Sequence, residues 1–168
     1  MKLLEQVGVR TTASVARSLG LSSVPDDLTG REGSLTLGAY EASPLEMSAA
    51  FATFASGGTY CAPHAITEIR GVKVDNECSR VISAKAASTV NDVLTEPLSA
   101  GGTAETLKFS ADVRVKSGST DDYSVVWLDA YTPKGSIAGW VADPDNPNAN
   151  PVRNVNVYGT YHAVGHGG

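Results

Sequence analysis

Lys116-Ser117-Gly118-Ser119-Thr120 puts a cation and several hydroxyls into one short stretch of chain. The β-branched run Val113–Val115 just ahead predicts a strand, so the motif follows one strand and precedes another. A strand ending this way offers an ammonium group, hydroxyls and edge amides along one groove. Gly118 lets a ligand backbone come close, because no Cβ intrudes. The chemistry that fits is capture of an acidic, peptide-like ligand laid down as an extra strand. A Lys-Ser/Thr-Gly triplet by itself is a weak signal, since many chains contain one as a plain turn between strands.

Other reactive side chains are more loosely placed. Cys61 and Cys78 flank residues 62–77. Oxidised, they would close a loop worth about 3 kcal/mol in the chain-entropy model; reduced, they are two free thiols. Cys61-x-x-His64 also has the spacing of half a zinc site, although Cys78 has no neighbouring His or Cys to complete it. His162 and His166 could share a metal only on a helix, and GTYHAVGHGG is too rich in glycine for one. Asp143 and Asp145 read as loop residues. Glu41 and Glu46 resemble a carboxylate pair, but Glu46 is better explained as a helix-capping residue. Trp127 and Trp140 read most simply as sheet packing, with ligand stacking as the alternative.

The elements that must position these residues can be read from periodicity. Residues 10–21 predict a short helix capped by Thr11 or Thr12, with Val15 and Leu19 on one face and Gly20 at its end. Residues 22–33 are loop. Ser43-Pro44-Leu45-Glu46 starts the clearest helix, with a capping Ser, a Pro in the first turn and a Glu at the third position. Met47, Ala50, Phe51 and Phe54 form its core face, and Gly57-Gly58 stops it. Short strands and turns enclose the cysteine loop over 59–82, with β-rich pieces near Ile66–Ile69 and Val72–Val74. A further helix runs from Ser83 to about Leu94, with Val90, Val93 and Leu94 as its stripe, and Pro97 prevents continuation. Strands follow at Val113–Val115, Tyr123–Tyr131 and Ser136–Ala142, the last two joined by a hairpin at Thr132-Pro133-Lys134-Gly135. Val152–Tyr158 predicts one more edge strand. Helices first and then antiparallel strands make an α+β pattern.

Composition narrows the classes. A chain of 168 residues supports one domain with a core. With 42% apolar and 18% charged residues it is not disordered throughout. A net charge of −5 with scattered cations argues against a nucleic-acid partner or an acidic membrane surface. Met1-Lys2-Leu3-Leu4 runs straight into Glu5 and Gln6, so no signal peptide is visible, and no stretch approaches the roughly 20 apolar residues of a membrane helix. An export signal, if the protein works outside the cytoplasm, lies on sequence beyond these residues.

Several longer segments agree with one another. Gly33–Ile66, GSLTLGAYEASPLEMSAAFATFASGGTYCAPHAI, resembles a stretch of the bifunctional class A penicillin-binding proteins that reads in outline PSLALG-E-SPLEMA-AYATFANGG-Y--P--I. Val126–Pro133, VWLDAYTP, is similar to the WFVGYTP that follows the KTG motif in that family, and Gly101–Leu107, GGTAETL, is similar to its GTA or GTG segment. The cysteines, within YCAP and CSRVI, look most like those of actinobacterial members. As an ordered set covering most of residues 1–160, these motifs are specific.

The resemblance implies the C-terminal half of one transpeptidase domain over 1–168, helical over 1–100 and sheet-forming over 101–160. Its fold would be α+β, an antiparallel sheet flanked by helices, a partial β-lactamase/D,D-peptidase-like fold, with three of the sheet's strands supplied here. It implies that Lys116 supports the electrostatics of acyl transfer, while Ser117 and Ser119 bind a terminal carboxylate alongside Gly118 and Thr120. The backbone N–H of Ser119 would be one oxyanion donor. The family's Ser-x-x-Lys and Ser-x-Asn motifs do not occur. Ser83-Ala84-Lys85 is one residue short, and Ser88-Thr89-Val90-Asn91 has the wrong spacing. The nucleophile would then lie on an N-terminal half of the domain, on the same or a separate chain. The expected partners are that half, peptidoglycan stem peptides and β-lactams, with no cofactor. The expected location is the outer face of the cytoplasmic membrane, where Cys61 and Cys78 would be bonded. Arg114-Val115 replaces the usual Ala-Gly, and Asp121-Asp122-Tyr123-Ser124 replaces a stretch that often carries Asn. The other readings are an inert domain that binds peptide or cell-wall material noncovalently, and a structural β-rich domain in which Lys-Ser-Gly is coincidental.

Overall fold

The computed structural model describes residues 2–109 and 112–164. They form two compact units that divide between Ser88 and Thr89. In the first unit, α1 (Lys2–Val7) and α2 (Val9–Ser18) are separated by Gly8 at φ +87°. The helix expected over 10–21 therefore starts earlier. Thr11 and Thr12 sit inside it rather than capping it, and the Thr12 hydroxyl donates back to the Gly8 carbonyl at 3.0 Å. Val15 is exposed; the buried stripe is Val9 and Ala13, packed with Leu4, Val24 and Leu28 from α1 and the following loop. That loop supplies apolar anchors that periodicity alone does not reveal.

The helix α3 (Pro44–Ala55) begins as its sequence requires. The Ser43 hydroxyl accepts from the Glu46 amide at 3.2 Å, and the Glu46 carboxylate accepts from the Ser43 amide at 2.8 Å. The same carboxylate takes the Ser22 amide and hydroxyl, and these bonds hold its pKa down to about 2. Ala50 and Thr53 are its buried residues, while Met47, Phe51 and Phe54 are only half-buried, so the expected core face is rotated toward Thr53. After Gly57-Gly58, β1 (Thr59–Cys61) pairs antiparallel with β4 (Cys78–Arg80), and β2 (Glu68–Ile69) pairs with β3 (Val72–Lys73). Cys61 and Cys78 are opposite each other in that register and form a disulfide. This removes Cys61 from any zinc site with His64. A Cβ on Gly58 would lie 2.3 Å from the Ile82 carbonyl oxygen, so only glycine permits that close approach.

The helix α4 (Ala84–Val93) has the Ser83 hydroxyl at its start, accepting from the Ala86 amide, and it ends ahead of Pro97 as expected. Its fully buried residue is Ala87, whereas Val93 of the predicted stripe is exposed. In the second unit β5 (Arg114–Ser119), β6 (Val125–Thr132) and β7 (Gly135–Ala142) form one antiparallel sheet in the order β5-β6-β7. Val115 and Ala130 on one face pack with Val113, Ala104, Leu98 and Leu107. The strand at 153–157, β8 (Arg153–Val157), does not extend this sheet. It pairs with β9 (Thr160–Val164) as a separate ribbon. His162 is on β9, and His166 is outside the described residues. The architecture is α+β with antiparallel sheets and helices, as the sequence implied.

Candidate functional site

The Lys-Ser-Gly residues are not a turn after a strand. They are the strand. β5 runs from Arg114 through Ser119 at the edge of its sheet, with β6 along one side only. The Val115 amide donates away from β6, to the Leu94 carbonyl at 3.1 Å, whereas the Thr120 amide donates toward β6, to Val125. Backbone direction alternates along an antiparallel strand. The amides of Ser117 and Ser119 therefore point the same way as that of Val115, to the open edge. They have no backbone partner there among the described residues.

Side chains alternate too, and this separates groups that the sequence had grouped in one groove. Lys116 and Gly118 project to one face of β5, and Ser117 and Ser119 to the other. Gly118 is opposite Trp127, which is opposite Trp140, so one row crosses all three strands. The two indoles stack at 6.4 Å between centroids. A Cβ on Gly118 would meet only the Trp127 Cβ at 3.6 Å, an ordinary contact. The fold leaves that space open without requiring glycine there.

Ser117 is held from the side. Its hydroxyl donates to the Thr103 hydroxyl at 3.0 Å. Thr103 is fixed by its neighbours: the Ala104 amide donates to the Pro97 carbonyl at 2.8 Å, and Ala104 is buried against the sheet. A Cβ on Gly102 would lie 2.4 Å from the Pro97 oxygen, so a side chain there would push this turn away from the strand. Thr120 closes the other end. Its hydroxyl is within hydrogen-bond distance of Ser124 at 2.9 Å and of the Asp122 carboxylate at 3.1 Å, and it accepts the Val125 amide at 3.1 Å. Asp122, bonded by Ser124, has its pKa lowered.

The electrostatics of the lysine face were not read from the sequence. Asp129 pairs with Lys116 across β5 and β6, so both are on one face. Asp129 is 4% exposed, and its buried Oδ1 accepts no hydrogen bond among the described residues. Burial raises its pKa from 3.8 to about 6, and the charge of Lys116 partly opposes the rise. The Lys116 ammonium does not reach it; it donates to the Ser117 carbonyl. Next along the face, the Tyr131 hydroxyl donates to the Asn91 carbonyl oxygen at 2.6 Å and is pushed up to about 12, chiefly by burial. Arg114 is paired with Asp112 at 2.6 Å. Thr103 and Asp129 lie within GGTAETL and VWLDAYTP, but neither segment by itself gives them a place at the site. The available signal for Asp129 was a lone carboxylate inside the apolar strand VVWLDAYT.

Elsewhere, Asp143 organises its own loop, accepting from the amides of Asp145 and Asn146 and from the Asn150 side chain. A cavity of about 260 Å³ in the first unit is lined by Leu4, Glu5, Val9 and Arg31 among others, and includes none of the motif residues.

The second unit thus carries an antiparallel sheet whose edge strand contains Lys-Ser-Gly-Ser. The penicillin-binding protein transpeptidase domain family matches residues 1–158, and the chain belongs to that family. It is similar to penicillin-binding protein 1A of Clostridium botulinum, 31% identical over 166 residues, which is 92% of this chain but 19% of that protein. Among solved structures, penicillin-binding protein 1A from Haemophilus influenzae superposes with a TM-score of 0.65 at 22% identity, covering 86% of this chain and 28% of that one. Penicillin-binding protein A from M. tuberculosis, solved as an imipenem acyl-enzyme complex, gives 0.58 at 20% identity, over 82% of this chain and 39% of that one. These likenesses establish the fold. The chain spans about a fifth of the length of the curated relative.

Proposed function

We propose that this chain supplies the Lys116–Ser119 wall of a serine-type D,D-transpeptidase that binds penicillin and cross-links peptidoglycan stem peptides at the outer face of the cytoplasmic membrane. The observation that carries the reading is the open edge of β5, where the Ser117 and Ser119 amides face outward between the lysine on one face of the strand and the two serine hydroxyls on the other. A stem peptide or β-lactam lies along this edge as an added strand. Its terminal carboxylate meets Lys116, Ser117 and Ser119. Ser117 can donate to it only if the hydroxyl pair turns over, so that Thr103 donates to Ser117 and frees the Ser117 proton for the ligand. The Ser119 amide serves the developing oxyanion, Gly118 leaves room for the ligand backbone, and Thr120 fixes the end of the strand. The attacking hydroxyl belongs to an N-terminal half of the domain, because these residues contain no Ser-x-x-Lys. The cysteine segments support an actinobacterial affiliation.

The same missing motif favours a second reading, an inert domain that holds peptide or cell-wall material noncovalently. Intact-mass spectrometry with benzylpenicillin separates the two. The chain alone should gain no adduct, while its complex with the N-terminal half should be acylated on that half. An adduct on residues 1–168 contradicts the assignment of the nucleophile, and an unreactive complex selects the inert reading. Docking is read from amide chemical shifts. N-acetyl-D-alanyl-D-alanine should move the Ser117, Gly118 and Ser119 amides, and its carboxamide analogue should not.

A further inference from the structure

Asp129 has no part in that reading, yet it is the buried carboxyl nearest the motif in register. A carboxyl this deep with an unsatisfied oxygen is costly in either state, and more so when charged. Cross-strand partners on one face have Cβ atoms about 5 Å apart, so the charge of the buried Asp129 and that of the exposed Lys116 act on each other across the strand pair. No ion pair joins them: the ammonium is turned to the Ser117 carbonyl, toward the strand edge. Other groups on this face leave the pair to itself. On β5, Arg114 is taken up by Asp112. On β6, Tyr131 is neutral with its pKa raised to about 12. On β7, the residues in register on this face are Ser136, Ala138 and Trp140, none of which ionises. From α4, Asn91 is uncharged and receives the Tyr131 hydroxyl.

We propose that Asp129 is a positioning residue that acts through Lys116. When ionised, its carboxylate offsets the lysine's charge and repels an incoming carboxylate; when protonated, it leaves the ammonium to the ligand. The inference rests on the docking reading above and adds to it that anion binding at β5 is coupled to proton uptake at Asp129. The raised pKa, about 6, puts that exchange within the range of mildly acidic to neutral surroundings. With Asp129 buried but Lys116 and the strand edge open to solvent, which screens part of the interaction, the expected effect on affinity is about tenfold.

The test titrates the Asp129 carboxyl carbon by NMR in the intact chain, with and without saturating N-acetyl-D-alanyl-D-alanine, and needs no variant to fold. Binding should raise the midpoint by about one pH unit, because a tenfold preference for the protonated form appears equally in both equilibria. The ligand's Kd should rise about sevenfold from about pH 5 to about pH 7.5. Asp129→Asn, a neutral mimic of the protonated acid, should bind at the tight limit with a flat profile. Binding that leaves the Asp129 midpoint unmoved, or an Asp129→Asn profile that follows the wild type, overturns this inference while leaving the docking edge intact. Absence of binding at every pH in both proteins overturns the docking reading, and this inference with it.

Discussion

β1 and β4 pair over three residues each, and all of β4 is exposed; β6 and β7 pair over eight, and β6 buries Val126, Asp129, Ala130 and Tyr131. The first pair has almost no apolar area to bury, and two-stranded ribbons of that length are marginal in water. What holds it is covalent, the Cys61–Cys78 bond. The second belongs to a sheet held by side-chain burial on β5 and β6, with Val115 at 0% and Val126 at 1% exposure. One ribbon is stabilised chiefly by restricting its unfolded state, the other by removing apolar surface from water. A carboxylate from each of the two units differs in the same spirit. Glu46, rich in donors, favours ionisation, whereas Asp129, short of them, resists it.

Reduction, or paired Cys61→Ala and Cys78→Ala, should have the largest effect, about 3 kcal/mol. Hydrogen exchange should accelerate across 59–80 while 114–142 keep their protection; equal losses in both would abolish the contrast. Next comes Asp129. Its folded pKa exceeds its unfolded one, so the folded state binds the proton more tightly, and stability falls as pH rises from 3.8 to about 6. Asp129→Asn should remove that decline, with a gain on the order of 2 to 3 kcal/mol at neutral pH. Urea titrations at both ends of this window measure it, and a decline that persists in Asp129→Asn shows that another group causes it. Val115→Ala should cost about 2 kcal/mol, read as lost protection in β5 and β6 rather than at the cysteine ribbon. Ser43→Ala should cost about 1 kcal/mol by removing the cap of α3. Glu46 has the opposite pH sign to Asp129: its contribution is present above 4.5 and is lost as pH falls toward about 2. Acid exchange at α3 should therefore increase where Asp129 is already protonated. Smallest of all, Gly118→Ala should change stability by under about 0.5 kcal/mol, since its Cβ finds room, yet it should weaken ligand docking at the edge.

Local chemistry was legible wherever a residue's neighbours in sequence are also its partners in space. Ser43, Pro44 and Glu46 specify a helix start through bonds that span three residues, and the structure contains those bonds. The Thr132–Gly135 hairpin and the stop at Gly57-Gly58 are local in the same way. The helix over 10–21 starts earlier because Gly8 sets its start, and its buried stripe is chosen by Val24 and Leu28 from the loop that folds back after it. Val152–Tyr158 was correctly strand-forming, but its pairing with β9 rather than with the main sheet depends on register, which strand propensity does not encode.

For the motif, the order of residues determined that a cation, hydroxyls and a glycine lie next to one another, and the ordered segments around them pointed to the family. It also determined that no Ser-x-x-Lys is present. Only the tertiary structure decided that β5 is an edge, that Lys116 and Ser117 look to opposite faces, and that Thr103 and Asp129 are their neighbours. The reason is physical: alternation along a strand follows from covalent geometry, whereas which strand lies alongside it, and which carboxyl is buried there, is settled by packing between segments far apart in the chain.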